Sequence, residues 1–128
     1  MADFLSTDWL DDVARLGSEL VPFAGVSGRM QLVVSGGPEK DVKLVLELDD
    51  GRVTRAERAV VADAELTLTL EYANAVAIHR GELDPSVAFM QGRLKAAGDT
   101  GMLLQLLALA RTPTYRSFRE KLAAVTDL

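Results

Sequence analysis

The side chains in this sequence that could do chemistry are few. There is one histidine, His79, and no cysteine. That excludes a thiolate nucleophile, a disulfide framework and a cysteine or His-rich metal site within one chain, and leaves His79 as at most a lone proton shuttle. The pairs Asp11-Asp12 and Asp49-Asp50 have the residue types for acid–base or metal chemistry. The first falls on the polar face of a helical pattern and the second in a turn, where carboxylates are solvated. Tyr72, Tyr115 and Glu71 are the other groups with acid–base capacity near apolar segments. No G-x-S-x-G, G-x-x-x-x-G-K-[ST] or G-x-G-x-x-G occurs, and Gly98-Asp99-Thr100-Gly101 reads only as a helix start. We therefore expect no catalytic residues, no metal and no cofactor.

The remaining composition narrows the field. The chain has 128 residues, enough for one domain over 1–128 and too few for two ordinary ones. Acids outnumber bases 19 to 14, a net charge of −5. A nucleic-acid binder would instead be basic, and so would a protein held to membranes through its whole surface. Hydrophobic residues make up 48% but aromatic ones only 5%, so the apolar content is aliphatic. An acid stands near the start where a signal peptide needs basic residues, and the longest oily run, residues 101–110, is half the roughly 20 needed to cross a bilayer. The expectation is a cytoplasmic protein.

These residues must be positioned by alternating patterns. Residues 7–20 read as an amphipathic helix capped by Thr7, with Trp9, Leu10, Val13, Leu16 and Leu20 on one face and acids on the other. Period two then takes over. Met30, Leu32 and Val34 alternate with Gln31, Val33 and Ser35; Val42, Leu44, Leu46 and Leu48 alternate with Lys43, Val45 and Glu47; Leu66, Leu68 and Leu70 alternate with acids and threonines. Asp49-Asp50-Gly51 signals a hairpin, and residues 52–59 an edge strand guarded by charge. Such a sheet wets one face, so helices should cover only the other. Helices are expected over 72–80, from Pro85 to Met90, after Asp99 and from Pro113, with a short strand over 93–97. The helix after Asp99 is oily nearly all round, only Gln105 being polar, so it must be enclosed or line something apolar. On the last helix Tyr115, Phe118, Leu122 and Val125 form a narrow stripe, with Arg111, Arg116, Arg119 and Lys121 facing away from it.

The stretch from Gly81 to Met102 resembles the signature of the sterol carrier protein 2 family. It carries Gly81, Leu83, Asp84-Pro85, Ala88-Phe89, Gln91-Gly92-Arg93-Leu94-Lys95 and Gly98-Asp99 ahead of an apolar helix. The resemblance implies a two-layer α+β fold: a five-stranded, mostly antiparallel mixed sheet with helices on one face enclosing a hydrophobic tunnel. It also implies non-catalytic binding, and transfer, of fatty acids, acyl-CoA esters or sterols. By position the lining would include Phe89, Met90, Gln91, Met102, Leu103, Leu106 and Leu107, closed by Trp9 and Val13. Gln91 and Gln105 are the polar groups placed to meet a lipid head, and Gln105 needs a partner if buried.

The acidic first helix departs from the cationic membrane contact of lipid-delivering members. Any transient membrane contact is expected at the C-terminal helix, and residues 111–128 could act as a lid. A monomer is expected. Two alternatives remain open: an isomerase-like cavity enzyme using Tyr72, Tyr115, His79 or Glu71, and a homodimerising module whose oily helix fills an interface.

Overall fold

A computed structural model describes residues 1–128. The helix expected over 7–20 is α1, Thr7–Gly17, one turn shorter. Its cap is Ser6 and not Thr7, because the Ser6 hydroxyl accepts from Trp9 N–H at 3.2 Å. Leu20 is still buried in the turn that follows.

The strands are β2 (Gly28–Gly37), β3 (Lys40–Asp49), β4 (Arg52–Arg58), β5 (Leu66–Glu71) and β6 (Leu94–Gly98). They form one sheet in the order β4-β3-β2-β5-β6, antiparallel throughout except where β2 runs parallel to β5. The charged strand β4 is an edge, as its polarity predicts. Two short strands escape the sequence patterns: β1 (Ala2–Asp3) and β7 (Thr126–Asp127) pair in parallel and tie the two ends of the chain together.

The helices are α2 (Tyr72–His79), α3 (Pro85–Met90), α4 (Thr100–Leu109) and α5 (Pro113–Ala124), and none is long and apolar enough to cross a membrane. Their starts follow local chemistry. Asp84 caps α3 through Ser86 N–H, Asp99 caps α4 through Met102 N–H and Thr112 caps α5 through Tyr115 N–H. With α1, they lie over the face carrying Met30, Leu32, Leu46 and Leu68.

The opposite face is wet except for one strip. β4 and β5 run in the same direction with β3 and β2 between them, so residues 59–65 must cross the sheet. They do so over Gln31 and its cross-strand partner Val45, both buried. The Gln31 amide donates to the carbonyls of Leu44 (2.8 Å) and Ala59 (2.9 Å), and its oxygen accepts from Val61 N–H (2.8 Å). Every hydrogen-bonding group of a buried amide is thus engaged, which makes it a clip for a crossover that has no helix of its own.

The signature stretch is chiefly a piece of architecture. Ala88 is completely buried, Gly92 turns the chain at φ +73 and Leu94 returns it to the core. Gly98 has φ +119, and a Cβ there would overlap the Glu65 carbonyl oxygen. Only glycine lets β6 end against β5 and turn at once into α4.

Candidate functional site: an apolar cavity between sheet and helices

The two layers do not close completely on each other. Between them lies a cavity of about 240 Å3, lined by 27 residues of which 23 are hydrophobic. Its floor is the inner face of β2, β3 and β5, through Met30, Leu32, Val34, Leu46, Leu48, Leu68 and Leu70. Its roof draws on all five helices: Trp9 and Val13, Ala75 and Ile78, Pro85, Leu106 and Leu107, and Phe118 and Leu122. The helix stripes and strand alternation that predict a core thus also produce the wall.

Of the expected lining residues, Trp9, Val13, Leu106 and Leu107 face the cavity. The other six do not. Phe89, Met90 and Gln91 point outwards, because the inner face of the short helix α3 is set by Pro85 and Ala88. Met90 is 76% exposed, and Gln91 accepts a surface hydrogen bond from Arg93 at 3.2 Å. Met102 and Leu103 are buried in the solid core at the start of α4. Gln105 is exposed, its stem lying over Gly25, so its amide has no need of a buried partner. The buried amide of this protein is Gln31, on the other face of the sheet. Nor is α4 enclosed all round: Leu104 is 59% exposed on its outer side.

Polar groups reach the cavity at one end, where α2 meets α5. His79 is buried and packs within a ring cluster, its centroid 4.8 Å from Phe4 and 5.9 Å from Trp9. Burial holds its pKa below the usual 6.5, with Arg119 and Arg80 adding to the effect. Its Nε2 and the Trp9 indole N–H are the two buried side-chain groups without a hydrogen-bond partner. Arg119, expected to face away from the apolar stripe, lies on it and lines the cavity. Its guanidinium donates to the His79 carbonyl at 3.3 Å and covers Gly81. Tyr115 lines the same end; burial pushes its hydroxyl above 10.0, while Arg119 works against that shift and Asp84 adds to it. Tyr72 packs on Gly37 and Phe4 outside the cavity, and Glu71 is exposed on the rim of the sheet.

The arrangement can hold an apolar body by burial, with a few polar groups at one end, which is how small-molecule pockets are generally built. It gathers no His/Asp/Glu cluster able to hold a metal ion.

Comparison with known proteins bears on the family and the fold. In sequence, sterol carrier protein 2 of Gallus gallus is 30% identical over 91 residues, which are 69% of this chain and 16% of that protein. Hydroxysteroid dehydrogenase-like protein 2 of Xenopus laevis is 33% identical over 79 residues, 62% of this chain and 18% of that one. The chain therefore spans less than a fifth of these relatives' length. In structure, a crystal structure of sterol carrier protein 2 superposes with a TM-score of 0.72 at 23% identity, covering 98% of this chain and 100% of that one. The solution structure of palmitated SCP2L2 from Aedes aegypti superposes with a TM-score of 0.67 at 18% identity, covering 84% and 96%. These structures share the α+β fold, with its five-stranded, mostly antiparallel sheet. Residues 18–111 match the SCP-2 sterol transfer family, to which this chain belongs.

Proposed function

We propose that the chain binds the hydrocarbon part of one lipid molecule in its cavity, without covalent chemistry, and carries it. The observation that supports this most is the cavity itself, a void of about 240 Å3 with an almost wholly aliphatic and aromatic wall. Protein interiors normally close such spaces. Left unfilled, its lining side chains lack packing partners on one side. A hydrocarbon that fills it recovers contacts and leaves water, at roughly 0.8 kcal/mol per methylene. The volume equals that of roughly eight liquid waters. A methylene is close to a water in size, so the space takes roughly eight methylenes of a hydrocarbon.

A catalytic reading gains no support from the geometry. His79 and Tyr115 are the acid–base groups on the wall, and neither makes a side-chain hydrogen bond that would orient or activate it. An interface reading of α4 is also disfavoured, because Leu106 and Leu107 face inwards.

Native mass spectrometry after incubation with palmitate tests the proposal. One bound fatty acid per chain is expected. Lipid-free protein with palmitate, dodecanol and cholesterol alike, up to their solubility limits, overturns it.

A further inference from the structure

The cavity adjoins a pocket of a different character. Where α2, the start of α3 and the turn between α4 and α5 converge, a second space of about 320 Å3 shares Ile78, Pro85, Ala110, Tyr115 and Arg119 with the first. Its charged wall is Arg111, Arg116 and Arg119 against a single acid, Asp84. The Asp84 carboxylate is already engaged as the cap of α3, accepting from Ser86 N–H at 2.7 Å. Arg111 and Arg116 are exposed and take part in no ion pair. Arg119 is held in place: its guanidinium lies over Gly81, where a Cβ would come within 2.6 Å of its Cζ, and it donates to the His79 carbonyl. Arg119 also lies 3.9 Å from the exposed Glu120 carboxylate, which leaves Arg111 and Arg116 as the arginines of this wall without an ion pair, in a chain whose net charge is −5.

A concave site lined by one sign of charge focuses its field, and arginine forks match carboxylate and phosphate oxygens. We propose that this pocket is the head-group subsite for the lipid in the cavity. It favours the dianionic head of a phosphate monoester over a carboxylate, and either over an uncharged hydroxyl. This rests on the reading that the cavity holds the alkyl chain. Tyr115 and Arg119 stand where chain and head join. Arg116 and Arg119 belong to α5, beyond the residues matched to the family, while Arg111 is the last residue of that match.

The test holds the chain constant and changes the head. Dodecyl phosphate, laurate and dodecanol are titrated by calorimetry at pH 8, where a phosphate monoester is dianionic. Affinity is expected to fall in that order, with roughly tenfold between the first and last at low salt and a smaller gap as salt is added. The double variant Arg111→Gln/Arg116→Gln should lose the gap while dodecanol affinity stays unchanged. Arg111→Lys/Arg116→Lys should keep part of it. Equal affinities in the unsubstituted protein, or a gap that survives in the glutamine variant, overturn the head-group subsite and leave chain binding intact. If none of the three amphiphiles binds, the lipid reading itself fails, and the subsite with it. Titration with inorganic phosphate, read by arginine Nε–H NMR shifts, then shows whether the pocket is a free-phosphate site.

Discussion

Ala75 sits on α2 with its methyl group towards the cavity. Replacing it with leucine adds three carbons and loses little helix propensity. If the space is empty, the added carbons leave water and fill void, at about 0.8 kcal/mol each, so the free protein gains about 2.4 kcal/mol. For a chain of this length that raises the melting temperature by about 8 °C. The same three carbons occupy places a lipid chain would take, so binding weakens by a similar free energy, roughly 50-fold. Stability and affinity therefore move in opposite directions. Thermal unfolding of lipid-free protein and calorimetric titration with laurate read the two quantities separately. In a solid core the same substitution overpacks and destabilises by about 1–3 kcal/mol. A fall in melting temperature would therefore refute the reasoning, as would unchanged laurate affinity in a stabilised variant.

Other consequences follow from particular residues. Gln31→Leu strands the Leu44 and Ala59 carbonyls and the Val61 N–H beneath the crossover. The urea midpoint should fall by the equivalent of about 3 kcal/mol or more, while laurate affinity of the folded variant stays unchanged, because Gln31 lies on the sheet face away from the cavity. His79 has a folded pKa below its usual 6.5, so the unfolded chain binds the proton more readily. Its contribution to stability is full above about pH 6.5 and is lost as pH falls through the lowered folded value. Urea midpoints measured from pH 7.5 down to 5 should show this loss in the unsubstituted protein and a flatter profile in His79→Phe; parallel profiles would contradict the assignment.

The order and type of the main elements were legible because each rests on a local rule. Alternation over 30–34, 42–48 and 66–70 is sheet, the caps Asp84 and Asp99 and the proline Pro113 open helices, and the charged run 52–59 is an edge. The β1–β7 pair was not legible, since two residues at either end of the chain carry no period. The crossover did leave a trace: Val33 and Val45 are apolar residues on the face whose neighbours are polar. That trace does not say that residues 59–65 cover them or that Gln31 holds the cover.

The site was legible only in part, for a physical reason. The residues that make the signature recognisable, Ala88, Gly92, Leu94, Gly98 and Asp99, are those the α3-β6-α4 turn requires. The wall, by contrast, is made of leucines and valines spread over every layer, and locally they look like any other core residue. Trp9, Val13, Leu106 and Leu107 line the cavity and stand on helix stripes whose apolar spacing is visible in the sequence. Phe89, Met90 and Gln91 were misplaced because a six-residue helix has too few turns to fix its inner face from sequence. Arg119 was misplaced because an arginine stem packs well along an apolar stripe, and only the partners at its tip, Gly81 and His79, show where the charge goes.

The central claim, that an alkyl chain lies between sheet and helices, is tested most directly by NMR of the protein with 13C-labelled laurate. The account predicts nuclear Overhauser contacts from the chain methylenes to the methyl groups of Val13, Leu68, Leu106 and Leu107. Contacts confined to Phe89, Met90 and Leu104 on the outer surface, or none at saturating laurate, would contradict it.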